Sequence, residues 1–453
     1  MSSKYDWHPG SWKNCRILKQ PQYADKRKTV AAIEQINSYP GLISSGEVIQ
    51  LKSELKQAGD GKKFIIQGGD CVERFIDCNE TSIINKLKIL LQMSLIFTYR
   101  LKRPVVRIGR IAGQYFKPRS SDKEKVGTAE LPVYRGDGIN GMSPRNREND
   151  PDRLLESYCR AAATLNYIRA VIAGGFADLH HPSHWNLYSS RELPRWDEYE
   201  HLINSIKDSI DFMEIFTNSY NGTLGTVNFY TSHEGLHLEY EQALLRKSAG
   251  GYYSSSAHML WIGKRTLTEN SAHIELFRGI DNPVGIKIGP EIPAREAVRI
   301  FRTLNPGNEP GKICLITRLG AENVKKSLPL LISAVKENKL EAVWLCDPMH
   351  GNTTSAESGV KTRSFEDIMK EIEYTGRIHR SMNTYMAGLH FELTGEDVTE
   401  CTGGSTGITP DDLTQDYRTY CDPRLNYSQA MEMAFLTSEM LGRGTAGLNG
   451  SLD

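Results

Sequence analysis

Eight residues able to carry charge or bind a metal stand at the ends of short apolar runs in this chain: Cys71, Arg110, Glu234, Arg265, Lys287, Arg318, His350 and Glu392. The clearest run is Ala342-Val-Trp-Leu-Cys-Asp-Pro-Met-His-Gly-Asn352, where the mostly apolar stretch Ala342 to Leu345 breaks into Asp347, Pro348, His350, Gly351 and Asn352. A buried strand with such an ending suits a parallel sheet that delivers chemistry at its carboxyl edge.

The residues separate by chemistry. Cys71, His350 and Glu392, with Asp422 in the turn Tyr420-Cys-Asp-Pro-Arg424, offer a thiolate, an imidazole and carboxylates. That mixture suits a divalent first-row transition ion better than calcium or magnesium. Each residue also has an ordinary structural reading: a cysteine after a Gly-Gly turn packs as a hydrophobe, a loop histidine is solvated, an Asp before Pro makes a turn. Spread from residue 71 to residue 422, they form no local motif, and both readings stay open. The second set, Arg110, Lys117, Arg119, Lys264, Arg265, Lys287 and Arg318, is cationic. Clustered cations repel unless an anion offsets them, and forked guanidinium groups match phosphate and carboxylate oxygens. Together the sets describe a metal-dependent enzyme acting on a small phosphorylated, carboxylated molecule.

The elements that must position these residues repeat along the chain. Apolar runs end at Cys71, Arg110, Glu234, Arg265, Pro290, Arg318, Leu345 and Leu393, which makes eight strand candidates. From the fourth to the seventh they begin at residues 259, 284, 313 and 342, a spacing that fits a strand plus a crossover helix. Helical patterns lie between them: Asn79 to Tyr99, Pro293 to Leu304, and a stretch opening at Ser364 with Phe365, Ile368, Met369 and Ile372 on one face. Eight parallel strands alternating with helices predict an α/β fold, a (β/α)8 TIM barrel over residues 63–453. Residues 1–62 read as an amino-terminal helical extension packed on the barrel, with helices at Lys26 to Ile36 and Gly46 to Ala58. More residues separate Arg110 from Thr226 than one crossover requires, so 119–222, with a helix at Pro151 to Ala173 and the run His180 to Leu187, reads as a long helical insertion serving as active-site, interface or regulatory element.

Composition narrows the class. The 453 residues are 39% hydrophobic and 24% charged, which fits a folded enzyme rather than a disordered or membrane-spanning chain. Fifty-five basic residues balance 55 acidic ones, so no global field favours nucleic acid or an anionic membrane. The amino terminus has no apolar stretch of secretory length, and eight scattered cysteines form no C-x-x-C pair. Both point to a cytoplasmic protein with reduced thiols.

Several blocks resemble the signatures of class II 3-deoxy-D-arabino-heptulosonate 7-phosphate (DAHP) synthases: Gln67-Gly-Gly-Asp-Cys71, Gly109-Arg-Ile-Ala-Gly-Gln-Tyr115, Lys117-Pro-Arg-Ser120, Tyr134-Arg-Gly-Asp137, Thr231-Ser-His-Glu234, Trp261-Ile-Gly263, Cys346-Asp-Pro-Met-His-Gly-Asn352 and Cys421-Asp-Pro-Arg-Leu-Asn426. Trp7 to Trp12 and Gly395 to Gly404 extend the likeness, so that it covers nearly the whole chain in the family's order. The resemblance implies a TIM barrel that condenses phosphoenolpyruvate with erythrose 4-phosphate at the entry to the shikimate pathway. It implies one divalent ion, Mn2+ or Co2+, held by Cys71, His350, Glu392 and Asp422. It puts phosphoenolpyruvate on Arg110, Lys264, Arg265, Lys287 and Arg318, and erythrose 4-phosphate on Lys117, Pro118, Arg119 and Ser120. Lys117, Glu234 and His350 are the expected catalytic groups, Glu234 as a positioner of water. A homodimer or homotetramer with aromatic amino-acid effectors is expected, without nucleic-acid or membrane partners. One departure stands out: the family usually carries Glu where this chain has Lys264. Two rival readings are a synthase using a different or amino-substituted aldose phosphate, and a non-catalytic regulatory homologue.

Overall fold

A computed structural model describes residues 7–126, 129–176, 195–217 and 228–442. Eight strands, Phe64–Gly69, Val105–Arg110, Phe229–Glu234, Met259–Ile262, Val284–Ile288, Ile313–Thr317, Ala342–Cys346 and Gly388–Glu392, close into one barrel. All neighbours pair in parallel, the first strand against the eighth, so the predicted (β/α)8 architecture is the observed one. Both faces of these strands are covered, which is why they read as apolar runs rather than as alternating patterns.

Register decides what meets at the carboxyl ends. Gly69 pairs with both Arg110 and Glu392, so one layer of the barrel aligns the first, second and eighth strands just before Cys71. In the next sector Ile288, Thr317 and Cys346 are aligned, which brings Arg318 and Asp347 to one level, with Lys287 two residues below on the neighbouring strand.

The interior is packed with Ile65, Val106, Met259, Ile316 and Val343, and Leu51, Leu55 and Ala58 of helix Ser45–Gly59 join that cluster. This helix opens with a capping box between Ser44 and Glu47, which satisfies donors its first turn leaves free. It lies against the start of the seventh strand, where Gly59 meets Val343, and so seals the barrel at the end opposite the site. Outside, helices Glu80–Leu101 and Tyr427–Gly442 share a second core with the first and eighth strands.

The long segment after the second strand is not wholly helical. It begins with an antiparallel hairpin, Lys123–Val126 against Ala129–Pro132, before helices Asp152–Ala173 and Trp196–Thr217. Leu154, Tyr158, Ala161 and Leu165 of the former pack in one cluster with Ile36 of helix Lys26–Ser38. The run His180 to Leu187 lies outside the described residues. A further hairpin, Thr353–Ser355 against Lys361–Arg363, follows the seventh strand. Among the described residues no helix is long and apolar enough to cross a membrane.

At the sealed end Lys312 is buried, its ammonium donating to the carbonyls of Ile280 and, at 2.6 Å, Asn282. Burial lowers its pKa to about 7. A base whose folded-state pKa is depressed leaves the unfolded chain binding more protons between that value and 10.5, so stability gains from this residue as pH rises through that window. The difference in unfolding free energy between wild type and Lys312→Met should therefore grow in favour of wild type by about 1.4 kcal/mol per pH unit from pH ~7 to ~9. Denaturant melts of both proteins across that range test this, and a flat difference would show that Lys312 stays charged when folded.

Candidate active site

The carboxyl ends of the strands open into a cleft of about 460 Å³. Its walls include Lys117, Lys264, Arg265, Lys287, Arg318 and Lys361, against the acids Glu234 and Asp422. Such an excess of cations in one cleft needs anionic ligands.

Beneath and beside the cleft, Cys71, Glu392 and Asp422 converge, one ligand atom of each lying within 4.8 Å of the others. His350 touches this group through Glu392, its Nε2 lying 3.0 Å from Glu392 Oε1. On its other side His350 Nδ1 meets Asp347 Oδ1 at 2.9 Å, and Asp347 also pairs with Lys287 at 3.1 Å. Asp347 is held ionised well below the usual carboxylate range: burial opposes the charge, but His350 and Lys287 outweigh it. Asp347 accepts from His350 Nδ1, which leaves Nε2 facing Glu392. At 3.0 Å, Nε2 and Glu392 Oε1 share either a proton, which makes the imidazole cationic, or a bound cation. Ligands about 2.0–2.2 Å from one ion stand on the order of 3 Å apart, so this separation would suit a shared ion.

The donor set fits a divalent ion on a second count. Glu392 Oε2 is buried with the Arg363 guanidinium 2.7 Å away but closing no hydrogen bond, which leaves it a lone pair for a cation. Burial, the contact with Cys421 and the charge of Glu392 raise the Cys71 thiol well above its ordinary value, so the thiol must give up a proton to become a ligand. Carboxylate–imidazole pairing of the Asp347–His350 kind commonly orients a metal-binding histidine.

Cations compensate the acids. Burial works against the charge on Glu392, yet His350, Arg363 and Arg110 hold it ionised well below the usual range. Arg110 donates to Glu392 Oε1 at 2.9 Å, while Arg363 approaches Oε2 at 2.7 Å. Lys117 Nζ lies 2.6 Å from Cys71 Sγ and 2.8 Å from Asp422 Oδ2, and Lys361 Nζ lies 2.9 Å from Asp422 Oδ1. Burial disfavours the charge on Lys117, but Asp422 and Cys71 overcome it and raise its pKa well above the ordinary lysine value.

The structure separates several predicted residues from the cleft wall. Arg110 lies buried below it, its guanidinium spent on the Asp70 carbonyl, His390 and Glu392. Arg119 turns to Glu124 at 3.1 Å and is not among the lining residues, whereas Lys117, Pro118 and Ser120 are. Lys264 pairs with Glu291 at 2.9 Å, and Arg265 is oriented instead by Ser120 Oγ at 3.2 Å. The charge reversal at 264 therefore leaves the Arg265 contact to Ser120. Arg318 braces the seventh-strand loop by donating to the His350 carbonyl.

Glu234 is the acid with least support. Its Oε1 is buried with no hydrogen-bond partner, and burial raises its pKa despite Lys117, Lys287 and Arg265 nearby. The carboxylate lies directly over Gly263, where an added Cβ would come within 2.0 Å of Oε1, so only glycine leaves room for it.

Other supports escaped the sequence reading. His390 takes a proton on Nδ1 for Gln67 Oε1 at 2.8 Å and accepts from Arg110 at 2.7 Å, and Trp261 packs edge-on against its ring. Its signal was available: two residues before Glu392 in a strand, it faces the same side. Glu73 accepts from the consecutive N–H groups of Ala112, Gly113 and Gln114, fixing a loop in which Ala112 has φ 62°. Gln114 then accepts from the Glu234 N–H at 2.8 Å. Nothing in the spacing of Glu73 or Arg363 announces these roles.

Residues 7–438 match the model of the class-II DAHP synthetase family. A phospho-2-dehydro-3-deoxyheptonate aldolase of Neurospora crassa is 45% identical over 451 residues, covering 96% of this chain and 94% of the relative. Proteins of the same name from Streptomyces coelicolor and Mycolicibacterium smegmatis are 43% and 41% identical, each over 434 residues. They cover 95% and 94% of this chain, and 96% and 92% of their own lengths. With that likeness running end to end, the chain belongs to the class-II DAHP synthetase family.

Proposed function

We propose that this chain condenses phosphoenolpyruvate with erythrose 4-phosphate to DAHP and inorganic phosphate, the first step of the shikimate pathway. The observation that carries this reading is the cation-lined cleft standing over a Cys–Glu–Asp cluster in a member of this family. The acids suit a divalent ion, Mn2+ or Co2+, on Cys71, His350, Glu392 and Asp422. When bound, such an ion supplies a Lewis acid for the aldehyde of the acceptor.

The chain's own residues do the rest. Arg265 and Arg318 take the phosphate of phosphoenolpyruvate, and Lys287 takes its carboxylate. Lys264 stands at the outer rim, half-exposed. Arg110 supports the carboxylate subsite from below through the floor it shares with Glu392. Lys117, Pro118 and Ser120 present the phosphorylated aldehyde, and Arg119 acts from behind by way of Glu124. Holding both substrates in one orientation makes carbon–carbon bond formation effectively unimolecular. C3 of the enol bonds to the aldehyde carbon, whose oxygen takes up a proton. Water adds to C2 and loses a proton, and the resulting phosphohemiketal expels phosphate to leave the ketone. Glu234 orients that water and holds its proton, a role supported by its Oε1 being buried without a hydrogen-bond partner. His350, steadied by Asp347, keeps Nε2 toward Glu392 and the ion it would share.

The reading extends to a cytoplasmic homodimer or homotetramer whose segment 119–222 responds to aromatic effectors. Eight free cysteines support the location. Inhibition titrations with Phe, Tyr and Trp test the effectors.

Purified protein should release phosphate from phosphoenolpyruvate only when erythrose 4-phosphate is present, lose that activity to a chelator and regain it with Mn2+ or Co2+. Assaying other aldose phosphates side by side identifies the acceptor, and a clear preference for one of them would replace erythrose 4-phosphate. Glu234→Gln should lower kcat by about 10²-fold or more with little change in phosphoenolpyruvate affinity. Near-full turnover in that variant would remove Glu234 from the chemistry.

A further inference from the structure

Arg363 is fully buried, with no exposed side-chain area, yet it lies in none of the blocks that mark the site in sequence. It ends the hairpin that follows the seventh strand. Its guanidinium reaches three elements. Nη1 sits 2.7 Å from Glu392 Oε2 on the eighth strand and also donates to the carbonyl of Pro423, the residue after Asp422. Nε donates to Thr353 Oγ1, across the same hairpin, at 2.9 Å. The hairpin supplies a second cation as well, since Lys361 pairs with Asp422 Oδ1. One short element therefore grips both carboxylates of the Cys71–Glu392–Asp422 cluster.

We propose that Arg363 is a positioning residue for the metal centre, fixing the separation and orientation of Glu392 and Asp422 so that both carboxylates address one ion. The inference rests on the reading of that cluster as a metal site. Two physical effects of this guanidinium oppose each other. Its positive charge near a dication disfavours binding, because like charges repel. Its guanidinium ties the Glu392 carboxylate to the Pro423 carbonyl, next to Asp422, and loss of such outer partners commonly costs 10–100-fold in metal affinity. Positioning dominates, because Glu392 is buried with a second guanidinium, Arg110, on its other oxygen: the charge stays compensated when Arg363 is lost, and the link to Pro423 does not.

The two effects differ in sign, which makes the test decisive. Full-length wild type, Arg363→Met, Arg363→Lys and Thr353→Ala are titrated with Co2+ against a competing chelator, while the thiolate-to-cobalt and ligand-field absorption bands are recorded. Arg363→Met should bind Co2+ at least about tenfold more weakly, with an altered ligand-field spectrum. Arg363→Lys keeps the charge but cannot span Glu392, Pro423 and Thr353 together, and should fall between wild type and Arg363→Met. Thr353→Ala, which frees Nε only, should weaken binding by about two- to tenfold. Tighter or unchanged binding by Arg363→Met with an unchanged spectrum would overturn the proposal, as would an Arg363→Lys protein indistinguishable from wild type. Should Arg363→Met fail to fold, Thr353→Ala decides, and unchanged affinity there would equally overturn it. Wild type that takes up no Co2+ would instead overturn the metal site itself, and with it this inference.

Discussion

The site depends on neutralising carboxylates that the barrel buries. Glu392 has no exposed surface, and an uncompensated charge at such a position is costly enough that the group would take up a proton instead. Arg110, Arg363 and His350 prevent this from three directions. Asp347 repeats the arrangement one strand away with Lys287 and His350, so His350 stands between two buried acids and is fixed by both. The same charges that keep the acids ionised thereby set the direction of the one imidazole in the cluster.

Buried glutamates also hold the loops above the barrel. Glu73 accepts three consecutive N–H groups after the second strand. Glu371, from helix Phe365–Ser381, accepts from the N–H groups of Leu319 and Gly320 and from the Asn352 side chain, which ties together the loops carrying Arg318 and His350. Glu400 accepts from the N–H groups of Arg418, Thr419 and Arg424 around the turn that presents Asp422. Loops at the reacting face cannot bury apolar surface without closing the cleft, so polar anchors from behind replace a core there.

The barrel was legible because its strands are buried on both faces and therefore read as apolar runs, each ending in a residue of the site. Cys71, Lys287, His350 and Glu392 could be picked out by that rule alone, and parallel register then brings strand ends to one level. Depth was not legible. Arg110 ends its strand as Arg318 does, yet one is consumed beneath the cleft and the other lines it, a distinction set by three-dimensional neighbours such as His390. The hairpins were missed because Lys123 to Pro132 and Thr353 to Arg363 are polar, short and without alternating apolar residues. Arg363 was missed with its hairpin, since an arginine in a polar loop reads as solvated until the fold folds it inward.

Two carboxylates in this one mouth are driven in opposite directions. Glu392 has cations at hydrogen-bond distance on both oxygens and is kept ionised. Glu234 stands half-buried in the cleft wall, where Lys117, Lys287 and Arg265 act on it without closing a hydrogen bond to Oε1, and burial prevails to raise its pKa. Where environments push the pKa values of neighbouring acids apart, their chemical roles separate too. The strongly paired acid is suited to hold a cation and too weak a base to exchange protons. The unpaired one lies closer to neutrality and can accept and return a proton. Its position over Gly263, beside the cations of the cleft, puts that capacity in the cleft wall.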